Sequence, residues 1–455
     1  MTRRLEWFRR ELLPWCMAWL AAASCEGRAD WRPTVSTYRG EFHRFSPVVP
    51  GREGGEGAWA VHEVSRNMVE WSNAGVALPG EPMGRVLGAC ATEARAESAG
   101  GGRKSRGSHA VMALVESGGQ GAALCLFRSE DGRRYERHAG NPVLKVAGAS
   151  GAAPTIVWDA SSSRWVLGMP VRDARGAGLQ LHGSTNLVNW SVLGRVDGDH
   201  DGGGLAELPV RGSKGATALV LADSGGRLVA GSIHEGSFVP DMPRLAAGHG
   251  DLHWEFPPVP GVRMPDARRL AVARGRGGLG WEGALPWQVS LEQDGAASRI
   301  IWEPAVEAEA LRVRTRLMEV ARLSKAGTNE LVATLPEQFE LRLELPDTPH
   351  LRMTLRIGSD HVRFSVPDKM LVLNGTTNLL GPMSDMGRWV IRRVPGRLDL
   401  MVSEGRFRAS VPSIKVGAPG RIVVERPGGW WLRFPYFALH ELRKPTPSQA
   451  PAQDP

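Results

Sequence analysis

Glu207 lies in the run AELP (Ala206 to Pro209), one residue after DGDHDGGG (Asp197 to Gly204). Four carboxylates, Asp197, Asp199, Asp201 and Glu207, therefore crowd one short stretch. Neighbouring carboxyl groups can divide acid and base roles when their surroundings push their pKa values apart. The alternating Asp residues followed by Gly202 also resemble the first half of a calcium loop. The twelfth position of that pattern is Leu208, where a bidentate Glu is needed, and no helical pattern flanks the run. A mobile, Gly-rich acidic turn is the better reading, and neither metal nor cofactor is expected. His43 and His62 sit in strand-like sequence, where histidine is more often structural than ligating. Ser65, Ser129 and Ser184 recur at turns, and no GxSxG is present. Cys90 and Cys125 show no zinc spacing. A disulfide between them and two isolated buried thiols both stay open.

The elements that must hold these residues read as strands. Ser followed six positions later by an aromatic recurs as SRNMVEW (Ser65 to Trp71), SEDGRRY (Ser129 to Tyr135), STNLVNW (Ser184 to Trp190) and SIHEGSF (Ser232 to Phe238). The interval is about fifty to sixty-five residues, roughly one four-stranded propeller blade. In each copy Ser ends a strand, polar or Gly-containing residues turn the chain, and the aromatic starts the next strand. GGGRKSRG, within Ala91 to Ser108, reads as an exposed loop in an early blade. From Phe339 the pattern changes. FELRLEL, LRMTLRI, VRFSV, MLVLN, WVIRRV, RLDLMVS, RIVVER and WWLRF alternate at period two or nearly so. That predicts an antiparallel sandwich with one buried face per sheet.

The chain has 455 residues and a formal charge of +8, with Gly 56 and Pro 32. So much Gly and Pro suits short strands and turns better than helices. The basic excess is spread out and lacks a run interleaved with aromatics, which argues against nucleic-acid binding. Arg3, Arg4, Arg9 and Arg10 precede an uncharged, mostly apolar stretch from Leu12 to Ser24, the pattern of an export signal. Cys25 closes either a cleavage site or a loose lipoprotein box, so a lipid anchor there stays open. No stretch is long and apolar enough to span a membrane. The expected location is extracellular, periplasmic or lipid-anchored.

Several of these runs resemble glycoside hydrolase family 32, the β-fructosidases. WAVHEVSRNMVEW (Trp59 to Trp71) is similar to the family's WGHAxSxDLxxW block, with His62, Ser65 and Trp71 at matching spacing. SEDGRRYERHAGNPVL resembles its S-D-G…NPV hairpin, and GALPWQVSLE (Gly283 to Glu292) its PREL-L strand. The resemblance implies an all-β chain: an export signal over 1–28, a five-bladed β-propeller over 29–300, a linker over 301–320, a C-terminal β-sandwich over 321–444 and a disordered tail over 445–455.

The resemblance also implies where catalysis should lie. The family's nucleophile is the Asp of WMNDPNG, its transition-state stabiliser the Asp of RDP, and its acid/base the Glu of E-C-P. Here RDP aligns with Ala152, Ala153 and Pro154, so the stabilising Asp is replaced by Ala153. E-C-P aligns with Glu207, Leu208 and Pro209. The nucleophile position falls on Trp31, or on Asp30 after a one-residue shift. Retaining hydrolysis needs two carboxyl groups about 5 Å apart, and losing one preorganised polar group costs on the order of a hundred- to a thousandfold in rate. The expectation is a carbohydrate-binding relative of the β-fructosidases, for sucrose, fructan or another glycan, with impaired catalysis. His62, Trp59, Asp199 and Asp201 are its candidate sugar contacts. Two alternatives stay open. One is an active retaining glycosidase using Glu207 with Asp30 or an Asp of the 197–201 turn. The other is a non-catalytic propeller that docks proteins.

Overall fold

The computed structural model describes residues 34–47, 58–79, 86–94, 107–116, 121–200, 203–213, 215–224, 228–234, 237–240, 254–255, 262–263, 268–272, 274–275, 285–294, 297–317, 327–345, 350–379, 387–394, 397–402, 407–412, 420–426 and 434–444. The stretch expected to be an export signal, Cys25, Asp30, Trp31, Asp201 and the expected 445–455 tail lie outside them. Among the described residues the regular structure is all strand except for one 3₁₀ turn, Val306–Leu311.

Among the described residues five antiparallel sheets of four or five strands follow one another along the first three hundred residues, and a two-stranded pair, Trp254–Glu255 with Arg274–Gly275, lies within the same stretch. Sheet one is Thr34–Tyr38, Glu41–Pro47, Ala58–Ser65 and Ser72–Pro79. Sheet two is Val86–Ala94, Ser108–Glu116, Ala122–Ser129 and Glu136–Arg137, with Leu144–Val146 also on the third strand. Sheet three is Thr155–Asp159, Arg164–Asp173, Gly176–Ser184 and Ser191–Asp197. Sheet four is Gly204–Pro209, Thr217–Ala222, Leu228–His234 and Ser237–Pro240. Sheet five is Val262–Arg263, Arg269–Val272, Pro286–Asp294 and Ala297–Pro304.

Strands such as Ser108–Glu116 are buried along nearly their whole length. They read as continuous apolar runs because both faces of the sheet are covered by neighbouring sheets. Phe45 and Ala60 of sheet one meet Val111 and Phe127 of sheet two. Met112 and Leu124 meet Trp165 and Leu167 of sheet three. Val166 and Leu181 meet Leu205 and Leu221 of sheet four. Ala206 and Val220 meet Trp287 and Val289 of sheet five. Phe42 and Met68 of sheet one also pack with Leu270 of sheet five.

The Ser–aromatic repeat is a physical unit in three of its four copies. Ser65, Ser129 and Ser184 each end a third strand, and each hydroxyl accepts a backbone N–H two or three residues on. Asn67, Asp131 and Asn186 then accept two further backbone N–H groups through one side-chain oxygen. The residue after each, Met68, Gly132 and Leu187, is left-handed with φ of 57°, 74° and 65°. In the fourth copy Ser232 pairs with Val239 inside the ladder and His234 with Ser237. That copy is a tighter hairpin, so the same spacing there produces a different turn.

The C-terminal part is two six-stranded sheets, one ordered Arg312–Leu317, Tyr436–Leu442, Phe339–Glu344, Arg388–Val394, Arg397–Val402 and Phe407–Pro412. The other is ordered Gly327–Val332, Ile422–Arg426, Arg352–Ile357, Asp360–Ser365, Met370–Leu373 and Thr376–Leu379. Phe339, Leu341, Trp389 and Leu400 of the first pack on Leu355, Phe364 and Val424 of the second. One expectation changes here. The first sheet is buried on its other face too, because Val390 and Met401 pack with Trp287 and Leu291 of sheet five. The 301–320 stretch is largely structured: strand to Pro304, the 3₁₀ turn, then the edge strand Arg312–Leu317. In the early glycine-rich region, Ala91 to Ala94 continue a strand rather than a loop, and 95–106 lie outside the described residues. Cys90 and Cys125 are buried free thiols, which settles the pairing question toward isolated thiols.

Candidate functional site

The first strands of sheets two, three and four approach one another closely at their entries. A Cβ on Gly88 would stand 2.5 Å from Ala153 Cα, and one on Gly204 would stand 2.5 Å from the Thr155 side chain. Glycine is required at both places for this approach, and at Gly204 also for its φ of 142°. The Leu205 N–H donates to Thr155 Oγ1 at 3.0 Å, bonding sheet four to sheet three. Ala153 stands two residues before its strand and presents only a methyl group to this region.

Glu207 stands three residues inside its own strand, Gly204–Pro209, and is half-buried. Its side chain shares a face with Leu205, while Ala206 and Leu208 turn to the opposite core. The Thr217 hydroxyl donates to Glu207 Oε1 at 2.6 Å. Thr217 is opposite Pro209 in the ladder, so the carboxylate leans toward the hairpin that ends the strand pair. The strand entry that touches Thr155 is at the other end. Arg269 of sheet five, itself buried, donates to the Glu207 carbonyl at 2.8 Å. Ala153 and Glu207 therefore sit at different levels of their strands. The residues of sheet four that abut sheet three's entry are Gly204 and Leu205.

Of the acidic turn, Asp197 and Asp199 are among the described residues. Asp197 is exposed and bound by Arg195 Nε at 2.8 Å, and the same guanidinium reaches Asp173 at 2.7 Å. Asp199 is exposed, and its carbonyl accepts the Ser224 N–H. His200 between the acids is buried with Nδ1 2.9 Å from the Ala222 carbonyl. A carbonyl can only accept, so that nitrogen carries the proton. Among the described residues no group of three or more His, Cys, Asp or Glu side chains is arranged to hold a metal ion.

His62 is fully buried in sheet one. It lies 3.0 Å from His43 by its Nε2 and stacks on Phe45 with centroids 4.8 Å apart. Trp59 is on the same strand, Ala58–Ser65, but its side chain is outside the described residues. Sequence reasoning passed over Gly88, Thr155, Gly204, Thr217 and Arg269. The triple glycine before AELP was a usable signal, since Gly at a strand entry often marks close backbone approach. Thr217 and Arg269 gave no signal, because each meets Glu207 only through pairing across strands and sheets.

Residues 33–211 match the family model for the glycosyl hydrolases family 32 N-terminal domain. A levanase of Bacillus sp. (strain L7) is 28% identical over 357 residues, covering 68% of this chain and 37% of that protein. A levanase of Bacillus subtilis (strain 168) is 24% identical over 347 residues, covering 69% of this chain and 50% of that one. The chain thus spans half or less of the length of these relatives. Among solved structures, exo-inulinase from Aspergillus awamori superposes with a TM-score of 0.71 at 14% identity, covering 91% of this chain and 96% of that one. A β-fructofuranosidase from Schwanniomyces occidentalis complexed with fructosyl-erythritol gives 0.68 at 14% identity, covering 90% and 95%. These two show a shared fold. No helix among the described residues is long and apolar enough to cross a membrane.

Proposed function

We propose, on the match of residues 33–211 to the N-terminal domain of glycosyl hydrolases family 32, that the chain is an exported fructan- or sucrose-binding member of that family that has lost hydrolysis. The observation that carries this reading is the arrangement around Ala153. A methyl group stands where the resemblance expects a carboxylate. The acid/base position the resemblance offers, Glu207, accepts the Thr217 hydroxyl toward the far end of its strand pair. Retaining hydrolysis needs two carboxyl groups about 5 Å apart, and Ala153 withdraws one of the three acids that the resemblance assigns to that chemistry. The five sheets are proposed to close into a five-bladed propeller over 29–300, followed by the sandwich over 321–444. The packing of Phe42 and Met68 against Leu270 supports that closure. Sugar binding is proposed by kinship with the levanases and inulinase, and His62 acts as part of the packed framework.

The test measures two things on the same sample: released fructose, and the shift in Tm with levan, inulin or sucrose. The expected result is a ligand-dependent rise in Tm with no fructose released. Fructose release abolished by Glu207→Gln would overturn the reading in favour of a working glycosidase. Neither release nor stabilisation across a broad glycan panel would overturn it in favour of a protein-docking propeller.

A further inference from the structure

A cluster of ionisable side chains lies outside the candidate site, in the seam between sheets one and two. His43 and His62 come from sheet one, and His109 from the second strand of sheet two. All three are at most 1% exposed. His43 Nδ1 and His62 Nε2 lie 3.0 Å apart, so one of them donates to the other. His109 Nε2 lies 2.7 Å from Ser36 Oγ, and its Nδ1 lies 2.5 Å from the Tyr135 hydroxyl. The His109 ring stacks on Tyr38 and is tilted against His43 at 4.9 Å. Phe45 lies flat on His62, and the Tyr135 ring stands edge-on to it. His43 Nε2 and His62 Nδ1 are buried without a hydrogen-bond partner. The rings pack closely while all three are neutral, and no acceptor stands at those two nitrogens to take up an added proton's charge.

We propose that this seam is an acid-triggered hinge: protonation of the three-histidine cluster parts sheets one and two while the C-terminal sandwich stays folded.

A proton added to either member of the His43–His62 pair places positive charge 3.0 Å from the other ring's nitrogen. Protons on both make two cations at that distance, in a site that water does not reach. The surrounding charges do not compensate. Arg133 faces both rings and adds to the repulsion. Glu41 faces His43, but Arg133 already holds it at 2.6 Å and Arg66 at 3.6 Å. Asp131 faces His62, but its carboxylate accepts the Ser129 hydroxyl and two backbone N–H groups. Glu93, Glu130 and Arg39 face Tyr38, whose hydroxyl burial keeps protonated. Tyr135 is likewise kept neutral by burial.

Burial, with Arg133 adding, pushes His43 down to about 4. Burial and the neighbouring His43 push His62 down to about 3. Burial holds His109 lower than the ordinary histidine range as well. Parted sheets would expose all three rings to water, where they titrate near 6.5. The open form therefore binds more protons than the closed form between that value and the depressed values of the closed form. The closed form loses ground as pH falls from about 6.5 toward 4, with opening favoured by up to about a thousandfold per pH unit for three linked protons.

The sandwich is an internal reference. Its one buried imidazole, His440, is hydrogen-bonded to Thr315 and is not part of a histidine cluster. His182 of sheet three is also buried and pushed down to about 4, but it stands apart from the seam.

The experiment is hydrogen–deuterium exchange on the full chain from pH 7.5 to 4, corrected for intrinsic rates. The peptides compared are 34–47, 58–65 and 108–116 in the seam against 339–344, 352–365 and 388–394 in the sandwich. The expected result is loss of seam protection below about pH 6, linked to at least two protons, with the sandwich still protected. His62→Phe continues the stack on Phe45 and should lower the pH of opening. Should that variant fold poorly, NMR titration of the wild-type imidazoles gives an independent reading. Cooperative titration of His43, His62 and His109 well below 6.5, in step with seam exchange, supports the hinge. Seam exchange that is flat to pH 4, seam and sandwich opening together, or imidazoles that titrate near 6.5 without opening would each overturn it.

Discussion

The seam between sheets one and two and the junction between sheet five and the sandwich both bury ionisable groups, and they solve the problem in opposite ways. The seam keeps its three imidazoles neutral and hydrogen-bonds them to one another, to Ser36 and to Tyr135. The junction buries full charges. Glu340, 2% exposed, takes Arg312 Nη2 at 2.6 Å and Arg342 Nε at 2.7 Å on one oxygen, and Arg392 Nε at 2.6 Å on the other. Arg392 is fully buried and lies 4.9 Å over the Trp287 ring. Burial opposes ionisation of Glu340, but the charges of Arg392, Arg342 and Arg312 outweigh it and hold the carboxyl well below the usual range. A neutral centre needs no counter-charge and is vulnerable to acid. An ionic centre resists acid further and is vulnerable to the loss of one partner.

The largest expected effect tests that contrast at the junction. Glu340→Leu strips the shared carboxylate from three guanidinium groups and should cost about 3–5 kcal/mol in denaturant unfolding. The double variant Glu340→Leu with Arg392→Leu should recover part of that loss. A single-variant cost under about 1 kcal/mol would break the comparison.

The next effect is conditional on pH. A histidine whose folded pKa is depressed leaves stability unaffected above 6.5 and erodes it as pH falls toward the folded value. Between pH 7.5 and 5, His62→Phe should therefore lose about 2 kcal/mol less stability than the wild type. Glu340 has the reverse chemistry, since its ionised form is the stabilised one. Its contribution is complete above the ordinary Glu pKa of about 4.5 and declines only in stronger acid. A stability slope that vanishes between pH 6.5 and 5 would remove the distinction between the two centres.

Two smaller effects set the scale. Asn186→Ala removes a side-chain oxygen that accepts the Val188 and Asn189 N–H groups in an exposed turn. The expected cost is about 1 kcal/mol by thermal unfolding, below either buried centre. Glu207→Gln keeps an oxygen for the Thr217 hydroxyl in a half-buried site, so the change should be under about 1 kcal/mol. A Glu207→Gln cost as large as that of Glu340→Leu would mean that burial is not what separates the two glutamates.

The sequence by itself determined the turn at Ser65, Ser129 and Ser184, because its instructions are local. A hydroxyl and an Asx oxygen bind backbone groups two or three residues on, wherever the sheets later pack. It also determined which sandwich residues share a face, because side chains alternate along a strand. Only the tertiary structure decided what covers each face. Period two marks Glu340, Arg342 and Arg392 as one polar face, which reads as solvent-exposed, yet sheet five lies over it and makes it an ion cluster. His109 joins His43 and His62, and Glu207 turns to Thr217, through contacts between strands and sheets that no spacing along the chain encodes. Periodicity reports the side on which a residue lies. Its partner there is fixed by where distant segments come to rest.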